Sequence, residues 1–178
     1  MDAHNFWKMV AHPIRGRNIV RVAGRFLVDK LCASIISGVL ASCIVACPSP
    51  MKQSRSVVVK VRGLDYHCRI WGAPVARPLF LLHGFQDVSA SWQFTVDALQ
   101  EDWLVVAPDW RGYGLTQWSG ADSYWFPDYL GDLDALLDEL APDVPIDLVG
   151  HSMGGNVAGL YAGVRPERIR KLVNIEGF

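Results

Sequence analysis

Residues 147–161 read DLVGHSMGGNVAGLY. An apolar, strand-like run enters a G-x-S-x-G turn at Gly150, Ser152 and Gly154, and a helix-like run leaves it. A serine on so sharp a strand-to-helix corner has its hydroxyl lifted clear of the sheet and its backbone forced into strained geometry. Small neighbours are needed where strand and helix pass closely, and Gly150, Gly154 and Gly155 supply them. The N–H groups that open the helix favour negative charge developing nearby. The chemistry suited to such a serine is nucleophilic attack on an acyl carbon.

Two further stretches bear on that reaction. HGFQD, His83 to Asp87, directly follows the apolar run PLFLL. A tight His83-Gly84 turn aims the backbone N–H of Phe85 toward the same cleft as the N–H of Met153. Together they form a two-donor oxyanion hole, in which each donor is worth roughly 3–4 kcal/mol in an acyl-transfer transition state. DWRGYG, Asp109 to Gly114, follows WLVVAP. Asp109 and Arg111 are read as organisers of that loop rather than as chemical participants. Trp110, Tyr113, Trp118, Tyr124, Trp125, Phe126 and Tyr129 make an aromatic-rich stretch beside the cleft. Core packing is the expected role of most of them, with a pocket for an apolar or aromatic acyl group as the alternative.

A nucleophilic serine needs a base, and the base needs an orienting acid. No histidine follows His151 in the 178 residues. His83 and His151 lie inside the motifs and are read as structural; on a strand, His151 points to the face opposite its neighbour Ser152. His67 falls in an early hairpin away from the predicted cleft, and His4 and His12 belong to the basic N-terminal stretch. None of the five is assigned as the base.

The elements that must hold these groups alternate in type. SVVVKVRG and LDYHCRIWG form a hairpin about Gly63, and PLFLL and WLVVAP are short strands buried on both faces. Ser89 or Ser91 is expected to cap a helix carrying Trp92, Val96 and Leu99. In FPDYLGDLDALLDEL, Tyr129, Leu130, Leu133, Leu136, Leu137 and Leu140 fall on one helical face and the acids on the other. Pro127 and Asp128 suit its first turn. The strand IDLVG, a helix over Asn156–Val164 and the strand KLVNI complete a β-α-β order, which predicts an α/β fold with a doubly wound, mainly parallel sheet. Ligands bind at the carboxyl ends of strands in such sheets, where all three motifs fall.

HGFQD, DWRGYG and GHSMGG, in this order and on these elements, resemble the α/β-hydrolase superfamily over about residues 57–178. In detail they are similar to bacterial α/β-hydrolases related to serine hydrolase-like proteins and the epoxide hydrolase group. The resemblance implies Ser152 as nucleophile, with Phe85 and Met153 as main-chain oxyanion donors. Epoxide hydrolases and haloalkane dehalogenases of this fold carry Asp at the nucleophile position, so Ser152 implies ester, thioester or lactone substrates. Carbon–carbon bond hydrolysis and haloperoxidase-like chemistry use the same triad and remain alternatives, as does a non-catalytic, membrane-tethered binding module. The family's chain order is Ser, then Asp or Glu, then His. Glu176, ending KLVNI, is therefore the candidate acid. The chain resembles the N-terminal part of such a hydrolase, without the last strands, the lid or the histidine loop. That predicts weak activity and an uncovered apolar edge at KLVNI, with poor solubility or dimerisation as the result.

The bulk composition fits this reading. The chain is 51% hydrophobic and 20% charged, as a globular domain is. Residues 1–50 hold six Lys/Arg against two Asp/Glu, whereas the remainder holds eleven against sixteen, and that mildly acidic body carries no nucleic-acid footprint. Cys32, Cys43, Cys47 and Cys68 have neither metal-binding spacing nor a disulfide framework, and no metal or cofactor is expected. Residues 1–50 are read as an extension to a partial hydrolase core over 51–178. The uncharged run 31–47 approaches the length of a membrane span or export signal. Cytoplasmic residence follows if translation starts at Met51; membrane anchoring or export follows if residues 1–47 are used.

Overall fold

Successive residues of a strand point to opposite faces, so a wholly apolar strand implies cover on both sides. The apolar strands here divide in that way. The computed structural model describes residues 10–14, 17–22 and 51–177. Its strands are β1 (Val10–Ile14), β2 (Arg17–Val22), β3 (Ser54–Val61), β4 (Leu64–Trp71), β5 (Arg77–Leu82), β6 (Trp103–Pro108), β7 (Ile146–His151) and β8 (Ile169–Ile175). They form one sheet in the order β1-β2-β8-β7-β5-β6-β4-β3. The central run from β2 through β8, β7 and β5 to β6 is parallel. The hairpins β1-β2 and β3-β4, and the pair β4-β6, are antiparallel.

Among the described residues three α-helices cover this sheet: α1 (Gln93–Ala98), α2 (Phe126–Leu140) and α3 (Met153–Val164). On one face Phe80 and Leu82 pack with Leu133, Leu136, Leu137 and Val157 of α2 and α3. On the other, Leu79 and Leu81 pack with Trp92 and Val96 beside α1. The expected α/β architecture, wound on both faces, is therefore present. Arg62 (φ 48°) and Gly63 (φ 84°) turn the β3-β4 hairpin as a two-residue loop with positive φ at both positions.

Two details differ from the sequence reading. Neither Ser89 nor Ser91 caps α1: both lie in the 3₁₀ turn Ser89–Trp92 that precedes it, where the Ser91 hydroxyl donates to Asp87 and to the Val88 carbonyl. The edge expected to stand open at β8 is paired, because Ile19–Val22 of β2 run parallel to Leu172–Ile175. A buried strand's free N–H and C=O groups draw in such a partner. That partner comes from within residues 1–50, read as an extension. The apolar run 31–47 lies outside the described residues, and among the described residues no helix is long and apolar enough to cross a membrane.

Candidate active site

Ser152 sits between β7 and α3 at φ 50° and ψ −116°, a conformation that L-residues rarely hold. Three ties keep it there. Its N–H donates to the Ile175 carbonyl at 2.8 Å, and its carbonyl accepts the Asn156 N–H at 3.0 Å. The third tie is close packing: a Cβ on Gly154 would fall within 2.6 Å of the His83 carbonyl oxygen and against that of Leu82. Strain of this kind costs about 1–3 kcal/mol. Ser152→Gly is therefore expected to raise stability by about 1 kcal/mol while removing the hydroxyl, since glycine adopts positive φ freely. Urea denaturation of the two proteins checks this.

The His83-Gly84 turn closes on that corner. A Cβ on Gly84 would stand 3.2 Å from Ser152 Cβ and 3.1 Å from His151 Nδ1. His83 is fully buried, and both its ring nitrogens are committed. Nε2 accepts the Trp110 N–H at 2.9 Å, which leaves Nδ1 to donate to the Gly84 carbonyl at 2.8 Å. The Trp110 indole N–H returns a bond to the His83 carbonyl at 3.1 Å. Burial pushes the His83 imidazole below its ordinary pKa, so the neutral tautomer is the working form. His83 thus joins two of the three motif loops.

The DWRGYG loop is held from beneath. Arg111 grips Asp132 of α2 with two parallel bonds, Nε to Oδ2 and Nη2 to Oδ1, each 2.6 Å. Its Nη1 donates to the Ser123 carbonyl at 2.8 Å, and its backbone N–H donates to the Tyr66 hydroxyl at 2.9 Å. The hydrogen bonds to Asp132 raise the Arg111 pKa above its ordinary value. Asp109 accepts from the N–H groups of Ser89 (2.6 Å) and Leu115 (3.0 Å) and from His67 Nδ1 (2.8 Å). Burial pushes its carboxyl up, but these bonds outweigh burial and hold it below the ordinary value. Asp109 and Arg111 are loop organisers, as expected.

Between Phe85 and Met153 on one side and the aromatic stretch on the other lies a cleft of about 700 Å³. Core packing, the role expected of most of that stretch, holds for Trp110, Tyr129, Tyr113 and Tyr124. The last two pack against the core from the cleft side, while Trp118, Trp125 and Phe126 are exposed. Trp110 is buried, and Tyr129 meets it edge-on at 5.5 Å. Tyr113, Trp118, Tyr124, Trp125 and Phe126 line the cleft, with Trp118 and Trp125 exposed at 72% and 77%. Gly120 and Pro127 interrupt the helical period across this segment, so these rings cannot share one buried face.

Phe85, Met153 and Ser152 are therefore brought together. Glu176 (φ 56°) follows β8, and its Oε2 lies 3.9 Å from His151 Nε2, both side chains being half-exposed. The side chains of His67, His83 and His151 turn elsewhere than to Ser152: His67 to Asp109 and Ser56, His83 to Gly84 and Trp110, His151 to Glu176. Sequence reasoning missed Asn174, whose Nδ2 donates to the Gly155 carbonyl at 3.1 Å and whose Oδ1 accepts the Gly177 N–H. It also placed Asp132 on the polar face of α2. Asp132 is fully buried, and its spacing from Tyr129 (i+3) and Leu136 (i−4) was the available signal.

Residues 77–177 match the family described as alpha/beta hydrolase fold. A serine hydrolase-like protein of Danio rerio is 33% identical over 111 residues, 62% of this chain and 34% of the relative. Epoxide hydrolase 3 of Siraitia grosvenorii is 35% identical over 128 residues, 70% of this chain and 39% of the relative. The chain thus spans well under half the length of these relatives. Among solved structures, the thioesterase domain from the curacin biosynthetic pathway superposes with a TM-score of 0.65 at 30% identity, covering 70% of this chain and 45% of that one.

Proposed function

Because the chain belongs to the alpha/beta hydrolase fold family, we propose that it carries the nucleophile half of a serine hydrolase for neutral ester, thioester or lactone substrates with an apolar or aromatic acyl group. The observation behind this reading is the strained Ser152 at the start of α3, beside an aromatic cleft flanked by Phe85 and Met153. Chemistry separates the acyl reading from the epoxide one. Serine attack on an acyl carbon gives an ester that water can cleave. Serine attack on an epoxide gives an ether, which water cannot cleave, so no turnover follows. Phe85 and Met153 N–H donate to the oxyanion in this reading, and Glu176 is the carboxylate nearest the end of β8.

With His67, His83 and His151 engaged elsewhere, none of these three histidines serves Ser152 as a base. In this reading the contribution of the oxyanion hole and of binding carries the activity. This polypeptide alone is therefore expected to turn over p-nitrophenyl acetate and p-nitrophenyl benzoate within about tenfold of its Ser152→Ala variant. A fluorophosphonate probe is expected to label Ser152. Absence of that adduct sinks the nucleophile reading and favours a non-catalytic binding module. Robust ester turnover that vanishes in Ser152→Ala would overturn the assignment of weak activity.

A further inference from the structure

A second serine is wired for acyl chemistry, four strands away from Ser152. On β4, His67 places Nδ1 2.8 Å from Asp109 Oδ2 and Nε2 3.0 Å from Ser56 Oγ on β3. This connectivity, carboxylate to Nδ1 and hydroxyl to Nε2, orients and activates a serine in hydrolytic triads. We propose that Ser56 is a reactive serine, activated by His67 and Asp109, that accepts acyl groups from activated donors such as thioesters and aryl esters.

The hydrogen-bond roles follow from the neighbours. Asp109 is an ionised carboxylate that already accepts two backbone N–H groups, so a neutral His67 must donate from Nδ1. Nε2 then carries the lone pair and accepts the Ser56 hydroxyl proton. His67 and Asp109 are each 2% exposed, whereas Ser56 lies exposed on an edge strand. A buried base beneath an exposed nucleophile is the arrangement such chemistry needs. The ring is held in place by its own backbone: the His67 N–H donates to Thr116 Oγ1 at 2.9 Å, and its carbonyl accepts the Asp109 N–H at 2.9 Å.

Charge for a developing oxyanion is available next door. Arg69 is the register partner of Ser56 across the β3-β4 ladder, on the same face as His67. Its Nη1 donates to Ser54 at 3.1 Å, while its Nε is buried and has no hydrogen-bond partner among the described residues. In the reaction, Ser56 Oγ bonds to the donor's carbonyl carbon and its proton passes to His67 Nε2. The bond to the thiolate or aryloxide breaks, that group leaves with the proton, and Ser56 remains as an ester. The site is separate from Ser152, since four inter-strand steps from β7 to β3 span roughly 19 Å.

Fluorophosphonate labelling with peptide mass mapping tests this. Oxygen–phosphorus bond formation expels fluoride, which departs with the serine proton. An adduct at Ser56 is expected in both wild type and Ser152→Ala; Ser56→Ala should lose it. A Ser152→Ala protein without a Ser56 adduct overturns the proposal, whereas a missing Ser152 adduct bears only on the reading of the main site. A thiol version avoids disturbing the buried groups. Ser56→Cys should react with iodoacetamide on the order of tenfold faster than a cysteine at the exposed position Thr95→Cys, because the imidazole stabilises the thiolate. Equal rates at the two positions would sink the idea.

Discussion

Asp132→Leu is expected to lower stability by about 3–5 kcal/mol, the largest loss foreseen for any single polar substitution in this chain. Asp132 is fully buried and holds Arg111 through two 2.6 Å bonds, with the Tyr66 hydroxyl at 3.2 Å from its Oδ2. Without it, a guanidinium 5% exposed is left, among the described residues, with Asp128 at 3.5 Å and the Ser123 carbonyl. Desolvating a charge without its partner is the costly case, while removing both charges is not. Arg111→Met combined with Asp132→Leu should therefore recover most of the loss, because two apolar side chains of similar length can fill the same space. Urea unfolding of the two single variants and the double variant reads this directly. A double variant as unstable as Asp132→Leu alone would show that the pair stabilises by something other than mutual neutralisation.

Gly154→Ala is expected to cost about 3 kcal/mol and to slow fluorophosphonate labelling of Ser152 about a hundredfold. The added methyl has no room, since it would meet two backbone carbonyls, those of Leu82 and His83. Backbone cannot swing aside as a flexible side-chain end can, so α3 must move outward from β5. Ser152 is the residue from which α3 starts, and its position relative to Phe85 changes with that movement. Gly163→Ala is the control, because a Cβ there meets nothing within 4 Å. It should leave both stability and labelling near wild type, or raise stability slightly, as alanine favours helix. Equal behaviour of the two variants would mean that the corner is looser than its packing implies.

Much of the site is legible without a structure because its parts are local. A glycine-flanked serine between an apolar strand and a helix identifies its own corner. PLFLL and WLVVAP declare burial on two faces, and Phe80 and Leu82 do face away from Leu79 and Leu81. The misreadings were non-local. The hairpin histidine, His67, was assigned no task because nothing in LDYHCRIW says that β4 lies next to β6. Once β6 pairs with β4, the Asp109 N–H meets the His67 carbonyl, and the two side chains follow. The aromatic stretch is divided between core and cleft, with Trp110 and Tyr129 buried and Trp118 and Trp125 exposed, because where the chain is not helical the loop path decides which rings face a cleft.

The sequence by itself determined the order of strands and helices from β3 onward, the two-faced core and the corner that presents Ser152, since each rests on periodicity or on a glycine at a fixed offset. The pairing of β2 with β8 was not among them. Only the tertiary structure decided the polar partnerships: Asp132 beneath Arg111, Asn174 against the α3 start, and Ser56, His67 and Asp109 in one line. The reason lies in sheet order. Crossovers bring β6 between β5 and β4, and β8 beside β7, at sequence separations of tens of residues. Short-range patterns carry the hydrophobic period of each strand but no record of the neighbour it will meet.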